Sequence, residues 1–297
     1  MGYIYCKEKN GFIKTLGNKR ELPQIVWHIT DKCRLNCQYC FATRSSIEAD
    51  VSKMDAYVGR LKELGVQKID ISGGEPLEHC KLPKICTSLY QNGFYITLTT
   101  KGIGLDENIQ WLEQEYGMFS RIIFSIDVPS EEEQRNLVGT DEYNTFDSIR
   151  SIMEYLAERD YGNIRINTVV TQRLLLEGNI EKMAALVNGM GCREWCLIQP
   201  HPANKKEKFN EIAVESVDFT RIIDAVKNKS MFKGTLLYRY AENYRDYWVL
   251  YPGNHLAKHT MDSDDIYNFD FFRTPVSTIL SEVMKNKIWI QEEKSDE

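Results

Sequence analysis

Three cysteines, Cys33, Cys37 and Cys40, stand at i, i+4 and i+7 in the stretch CRLNCQYC, just after a short apolar run. Thiolates hold soft metals and iron–sulfur clusters, and a set of three with no fourth nearby leaves one coordination position open. A structural zinc site normally closes its tetrahedron with four protein ligands, often as two pairs, and no second pair follows at a suitable distance. Taken alone, the triplet fits a cluster, an unusual zinc site or three loose thiols. A second stretch, Gly73-Gly74-Glu75-Pro76, puts a carboxylate on a turn where missing side chains let the backbone come close to a ligand. Read by itself it is a strand-ending turn, with Pro76 holding Glu75 extended.

Both stretches need elements to position them. Gln24–Thr30 is a short β-branched run that reads as a first core strand leading into the cysteine loop, and residues 51–65 form an amphipathic helix closed by Gly65. Strands follow at 67–72, 93–100, 120–127, 163–171 and 193–200, with helices near 82–91, 145–158 and 179–188 between them. In the helix at 145–158, Phe146, Ile149, Ile152, Met153 and Leu156 share one face. Six β–α alternations at about 30 residues each imply right-handed βαβ units, hence a parallel sheet with helices outside it. Periodicity alone leaves open whether that sheet closes. In parallel barrels the active site lies at the C-terminal strand ends. The cysteine loop, the diglycine turn, Lys101, Asp127, Thr171 and Gln199 all fall at such ends.

Residues 3–16 alternate about Asn10-Gly11 and read as a hairpin outside the main sheet. After His201 the rhythm changes. A polar linker near 204–210 precedes a helix over SVDFTRIIDAVKN, a β-hairpin around Pro252-Gly253-Asn254 and a terminal helix near 276–287. The expected organisation is a hairpin over 1–22, an α/β domain over 23–202 and a small α+β extension over 203–297.

A net charge of −6 argues against a nucleic-acid backbone as partner. No apolar run approaches the ~20 residues that span a bilayer, and the N-terminus lacks a signal-peptide core, so the expected location is cytoplasmic, with no membrane partner. In such a compartment eight cysteines point to metal or free thiols rather than disulfides.

With Tyr39 as the aromatic before the last cysteine, Cys33-x₃-Cys37-x₂-Cys40 followed by GGEP resembles the radical S-adenosylmethionine (radical SAM) superfamily across residues 24–200. The resemblance implies a partial (β/α)₆ barrel. It also implies that Cys33, Cys37 and Cys40 hold a [4Fe–4S] cluster whose open iron chelates S-adenosylmethionine. An electron from the reduced cluster then yields methionine and a 5′-deoxyadenosyl radical, and a flavodoxin- or ferredoxin-type donor supplies that electron. On the same basis Gly73, Gly74 and Glu75 meet the methionine moiety and Tyr39 the adenine. Ser125, Asp127, Arg135 and Asn167 meet the ribose and carboxylate, and Gln199 the adenine region. Cys196 is a candidate hydrogen-atom donor, as some related epimerases use. Alternatively Cys192 and Cys196 join Cys80 and Cys86 at a second cluster, or are inert buried thiols.

The C-terminal layout resembles the SPASM/Twitch branch, but no cysteine follows Cys196 to hold auxiliary clusters there. The expected reaction is hydrogen abstraction from a ribosomally made peptide, for epimerisation or cross-linking. The alternatives are a small sugar, aminoglycoside or nucleotide substrate, or a non-catalytic iron–sulfur protein.

Overall fold

A computed structural model describes residues 22–40, 42, 44–141, 143–200, 209–241, 247–259, 267–285 and 294–295. The expected hairpin at 3–16 and most of the polar linker lie outside these residues.

The chain lays down β1 (Gln24–His28), α1 (Met54–Glu63), β2 (Lys68–Ser72), α2 (Leu82–Gln91) and β3 (Tyr95–Thr100). It continues with α3 (Leu105–Glu115), β4 (Phe119–Ser125), α4 (Glu131–Val138), α5 (Phe146–Glu158), β5 (Ile164–Val169), α6 (Asn179–Gly189) and β6 (Glu194–Ile198). Beyond these come α7 (Phe209–Ile212), α8 (Ser216–Asn228), β7 (Thr235–Arg239) and β8 (Tyr247–Leu250). The described elements end with β9 (His255–His259), β10 (Tyr267–Asp270), α9 (Val276–Lys285) and β11 (Lys294–Ser295).

All six expected strands form and pair in sequence order, β1 to β6, parallel throughout. The sheet is wider than six. β7 continues it in parallel beyond β6, and β8 joins the free edge of β1, also in parallel. The expected hairpin is β8–β9, antiparallel, with β10 outside it, and β11 covers β7. Every described strand after residue 202 therefore belongs to the same sheet as the barrel strands. The run LLYR in β7 was not expected as a strand.

The alternation along these strands decides where polar groups go. Successive side chains point to opposite faces. In β2, Ile69 and Ile71 are fully buried, while Lys68, Asp70 and Ser72 line a cavity on the other face. In β4, Ile122 and Phe124 face the helices while Arg121, Ile123 and Ser125 face the cavity, and β5 repeats this with Ile164 and Ile166 against Arg165, Asn167 and Val169. The outer face packs on the helices; the five apolar residues of α5 are all buried there. Burying each is worth roughly 1.5–3 kcal/mol, so the outer layer holds the barrel together and leaves its inner face to polar side chains.

The C-terminal segment is fastened to the start of the barrel. Tyr57 of α1 packs between Trp27, Phe271 and Phe272 and donates its hydroxyl to Asn254. Arg60 donates from Nε to the carbonyl of Phe271 at 2.8 Å.

Candidate active site

The inner face encloses a cavity of about 380 Å³ whose lining reaches from Gln24, Lys68 and Arg165 in the strands to the cysteine loop and diglycine turn at their C-terminal ends. Cys33, Cys37, Cys40, Tyr39, Gly73, Gly74, Glu75, Ser125 and Asn167 all line it, so the structure brings nine of the sequence-derived site residues together.

Two backbone contacts join the cysteine loop to the diglycine turn. Gly74 N donates to the Thr30 carbonyl at 2.7 Å and Glu75 N to the Lys32 carbonyl at 2.8 Å. A Cβ on Gly73, whose φ is +136°, would stand 2.3 Å from the Thr30 oxygen, and one on Gly74 would stand 2.0 Å from the Lys32 oxygen. The glycines are thus required by the approach of the cysteine loop itself, a demand that was not anticipated from the sequence. On its other side the loop docks on the end of α4, where Asn36 N and Gln38 N donate to the carbonyls of Val138 and Leu137.

Glu75 is buried beneath the turn at 1 % exposure. Its carboxylate accepts from Leu77 N at 3.1 Å, from Lys101 N at 2.9 Å and from the Thr100 hydroxyl. Burial nevertheless pushes its pKa up to about 7, the three donors only partly offsetting the desolvation. Three of its roughly four acceptor positions are taken within the chain, which leaves one for a ligand ammonium.

Asp127 is fully buried and accepts from Tyr39 Oη, Lys101 Nζ, Gln134 Nε2 (3.2 Å) and Val169 N (2.8 Å). It stands behind the cavity wall, where it anchors Tyr39 and Lys101. Burial works against the Lys101 ammonium, but Asp127 and Cys37 hold it above the ordinary lysine range.

The other expected residues lie elsewhere. Arg135 sits off the cavity, donating from Nε to the Tyr143 carbonyl at 2.8 Å. Gln199 joins the end of β6 to its neighbours, donating to the Val214 carbonyl at 2.8 Å and accepting from Ala241 N at 3.0 Å. Cys196 shares the inner face of β6 with Glu194 and Ile198, but it is fully buried in a small apolar cluster with Ile198 and Leu237 and does not reach the cavity surface. Cys192 lies in the main core, Cys86 is buried in α2 and Cys80 is exposed.

Sequence reasoning missed the cavity's charge. Among the described residues, six of those lining it are basic (Arg44, Lys68, Lys101, Arg121, Arg165 and Arg239) against two acidic ones, Asp70 and Glu75. Arg121 and Arg165 share Glu194 at 3.2 and 3.1 Å. Three buried polar atoms of lining residues, Gln24 Oε1, Thr97 Oγ1 and Asn167 Oδ1, have no hydrogen-bond partner among the described residues.

The donor set fits an iron–sulfur cluster better than a single ion. Among the described residues no three His, Cys, Asp or Glu side chains converge on one metal position. A polynuclear cluster does not require that, since each thiolate binds its own iron. Burial pushes the Cys33 thiol up to about 12, and Glu75, Cys37 and Cys40 act on it in the same direction. Such a thiol ionises only when a bound metal supplies the compensating charge.

The sequence profile of the radical SAM superfamily matches residues 27–209, more than half of the chain. The chain belongs to the radical SAM superfamily. Among curated relatives it is 27 % identical over 245 residues to a probable GTP 3′,8-cyclase of Methanococcus aeolicus, covering 80 % of this chain and 76 % of the cyclase. It is 23 % identical over 225 residues to an S-adenosylmethionine-dependent nucleotide dehydratase of Lacinutrix mariniflava, covering 70 % of this chain but only 45 % of the dehydratase. The fold is shared with Streptococcus suis SuiB bound to S-adenosylmethionine (TM-score 0.60, 16 % identity, 80 % of this chain and 60 % of SuiB). It is also shared with anSMEcpe bound to AdoMet and a Cp18Cys peptide (TM-score 0.62, 15 % identity, 86 % and 81 %). This radical SAM chain is therefore an enzyme with the superfamily's partial barrel, and membership implies an iron–sulfur cluster and S-adenosylmethionine. Among the described residues no helix is long and apolar enough to cross a membrane.

Proposed function

We propose that this radical SAM enzyme abstracts a hydrogen atom from a small phosphorylated substrate of the nucleotide class. The observation that carries the reading is the basic inner wall, Lys68, Arg121, Arg165 and Arg239, in the same cavity as the cysteine loop. Guanidinium groups suit planar, bidentate recognition of phosphate oxygens, and cations in a walled cavity are worth more than on an open surface. The three partnerless polar atoms support it, since buried polar groups are normally satisfied and a ligand would satisfy these. The named activities of the cyclase and dehydratase relatives point the same way.

In this reading Cys33, Cys37 and Cys40 hold the cluster, and the diglycine turn and Glu75 seat the methionine end of S-adenosylmethionine. Lys101 and Tyr39, fixed by Asp127, flank it. When bound, the cluster and S-adenosylmethionine supply a carbon radical able to take hydrogen from an unactivated C–H bond, while the protein orients that bond and excludes water. A flavodoxin- or ferredoxin-type protein supplies the electron.

A ribosomally made peptide, to be epimerised or cross-linked, is the second reading. It is favoured by the barrel shared with SuiB bound to its precursor peptide SuiA (TM-score 0.57, 14 % identity). Calorimetry on the anaerobically reconstituted, S-adenosylmethionine-loaded enzyme separates the two. A ribonucleoside triphosphate is expected to bind on the order of 100-fold tighter than its uncharged nucleoside, and less tightly as salt rises. Equal binding of the two, or no binding of either, overturns the nucleotide reading.

A further inference from the structure

Among the described residues, Asp70 is the one acidic side chain of the cavity lining besides Glu75, and it sits in cationic company. It projects from the middle of β2, with Lys68 two residues before it and Ser72 two residues after it on the same face. Lys68, Arg165 and Arg239 all act on it electrostatically. Its hydrogen bond within the chain comes from the Thr99 hydroxyl, at 2.9 Å to Oδ1.

Glu194, at the start of β6, shows the contrast. Each of its oxygens takes an arginine, Arg121 at Oε1 and Arg165 at Oε2. Glu194 is committed to holding the wall, whereas Asp70 keeps acceptor capacity turned toward the cavity. A partly buried carboxylate with one donor is costly to maintain, and burial indeed raises its pKa. Such groups collect where a ligand completes them.

The chemistry of the missing donor follows from the surroundings. A second ammonium beside Lys68, Arg165 and Arg239 would be repelled, while a neutral hydroxyl would not. The Thr99 hydroxyl already meets this carboxylate, and Ser72 adds a second hydroxyl to the same face of β2. Lys68 and Asp70 are two residues apart, about 6.6 Å along a strand. That is comparable to the separation between a sugar's ring hydroxyls and a phosphate on its primary carbon.

We propose that Asp70 is a specificity-determining residue that accepts a hydrogen bond from a sugar hydroxyl of the substrate, while the basic wall holds the phosphate carried by the same sugar. This rests on the phosphorylated-substrate reading given above.

The test is calorimetry on the reconstituted, S-adenosylmethionine-loaded enzyme with the four ribonucleoside triphosphates, their 2′,3′-dideoxy counterparts and inorganic triphosphate. The wild type is expected to bind at least one ribonucleotide about tenfold tighter than its dideoxy counterpart. Asp70→Asn should reduce that preference to about twofold or less and leave inorganic triphosphate unaffected, whereas Arg165→Gln should weaken every triphosphate alike. Equal binding of the ribo and dideoxy forms by the wild type overturns the role of Asp70, and so does an undiminished preference in Asp70→Asn. In both cases the anion reading survives as long as inorganic triphosphate binds and depends on Arg165. Failure of every triphosphate to bind overturns both. The wild-type ratio alone is decisive if Asp70→Asn does not fold.

Discussion

The rim of the barrel and its interior treat polar groups in opposite ways. At the rim, Glu75 accepts from three donors, Asp127 from four, and the cysteine loop is bonded on both flanks, to the diglycine turn and to the end of α4. In the interior, Gln24, Thr97 and Asn167 keep buried atoms with no partner among the described residues, and Asp70 keeps an open oxygen. A region whose groups already satisfy one another is a rigid seat, suited to a cofactor that every turnover uses in one pose. A region with unspent donors and acceptors is built around a guest.

The largest expected effect breaks the rim alone. Cys37→Ser should lower the iron bound after anaerobic reconstitution on the order of tenfold or more, and abolish 5′-deoxyadenosine formation, while triphosphate binding in the interior survives. Iron analysis alongside calorimetry reads both. Concurrent loss of triphosphate binding would show that the two regions are not separable.

Asp127→Ala should be next. It removes the buried counter-ion of Lys101 and the anchor of Tyr39, and breaking one side of a buried ion pair costs about 3–5 kcal/mol. Urea unfolding of the cluster-free chain measures it. A change below about 1 kcal/mol would mean the rim is less tightly braced than its bonds indicate.

The smallest effect concerns pH. Burial raises Glu75 from 4.5 to about 7 in the folded chain, so the folded state holds that proton more tightly than the unfolded one. The resulting stability is fully present below about pH 4.5 and is lost as pH rises through 7, amounting to roughly 1–3 kcal/mol at most. The cluster-free protein should therefore unfold at lower urea concentration at pH 7.5 than at pH 5, and Glu75→Gln should flatten that difference. Stability that rises across this window in the wild type alone would contradict the assignment.

Much of this architecture was legible in the chain. The cysteine spacing, GGEP and the six strands all appear where expected, because local period and turn chemistry dictate them. β7 was missed because TLLYR is short and partly exposed, and long-range pairing with β6 and β11 makes it a strand. The basic interior was legible too, and was overlooked. KIDIS, RIIFS and RINTV each alternate polar with apolar residues, whereas strands covered on both faces by apolar layers read as continuous apolar runs. That alternation in a parallel strand signals a polar barrel interior. Gln199, Asp127 and Arg135 show what a sequence hides. Asp127 and Gln199 are polar residues just past strand ends and Arg135 is on the helix after β4, but backbone groups, Tyr39, Lys101 and Gln134 hold them, and no local pattern reveals such long-range partners.

The most direct test follows hydrogen itself. The reconstituted enzyme would be reduced with S-adenosylmethionine and ribonucleoside triphosphates deuterated throughout the sugar, and the 5′-deoxyadenosine weighed by mass spectrometry. Deuterium appearing in 5′-deoxyadenosine from at least one nucleotide is the expected result. Formation of 5′-deoxyadenosine free of deuterium with all of them, but enriched when a deuterated peptide is supplied, would contradict the account.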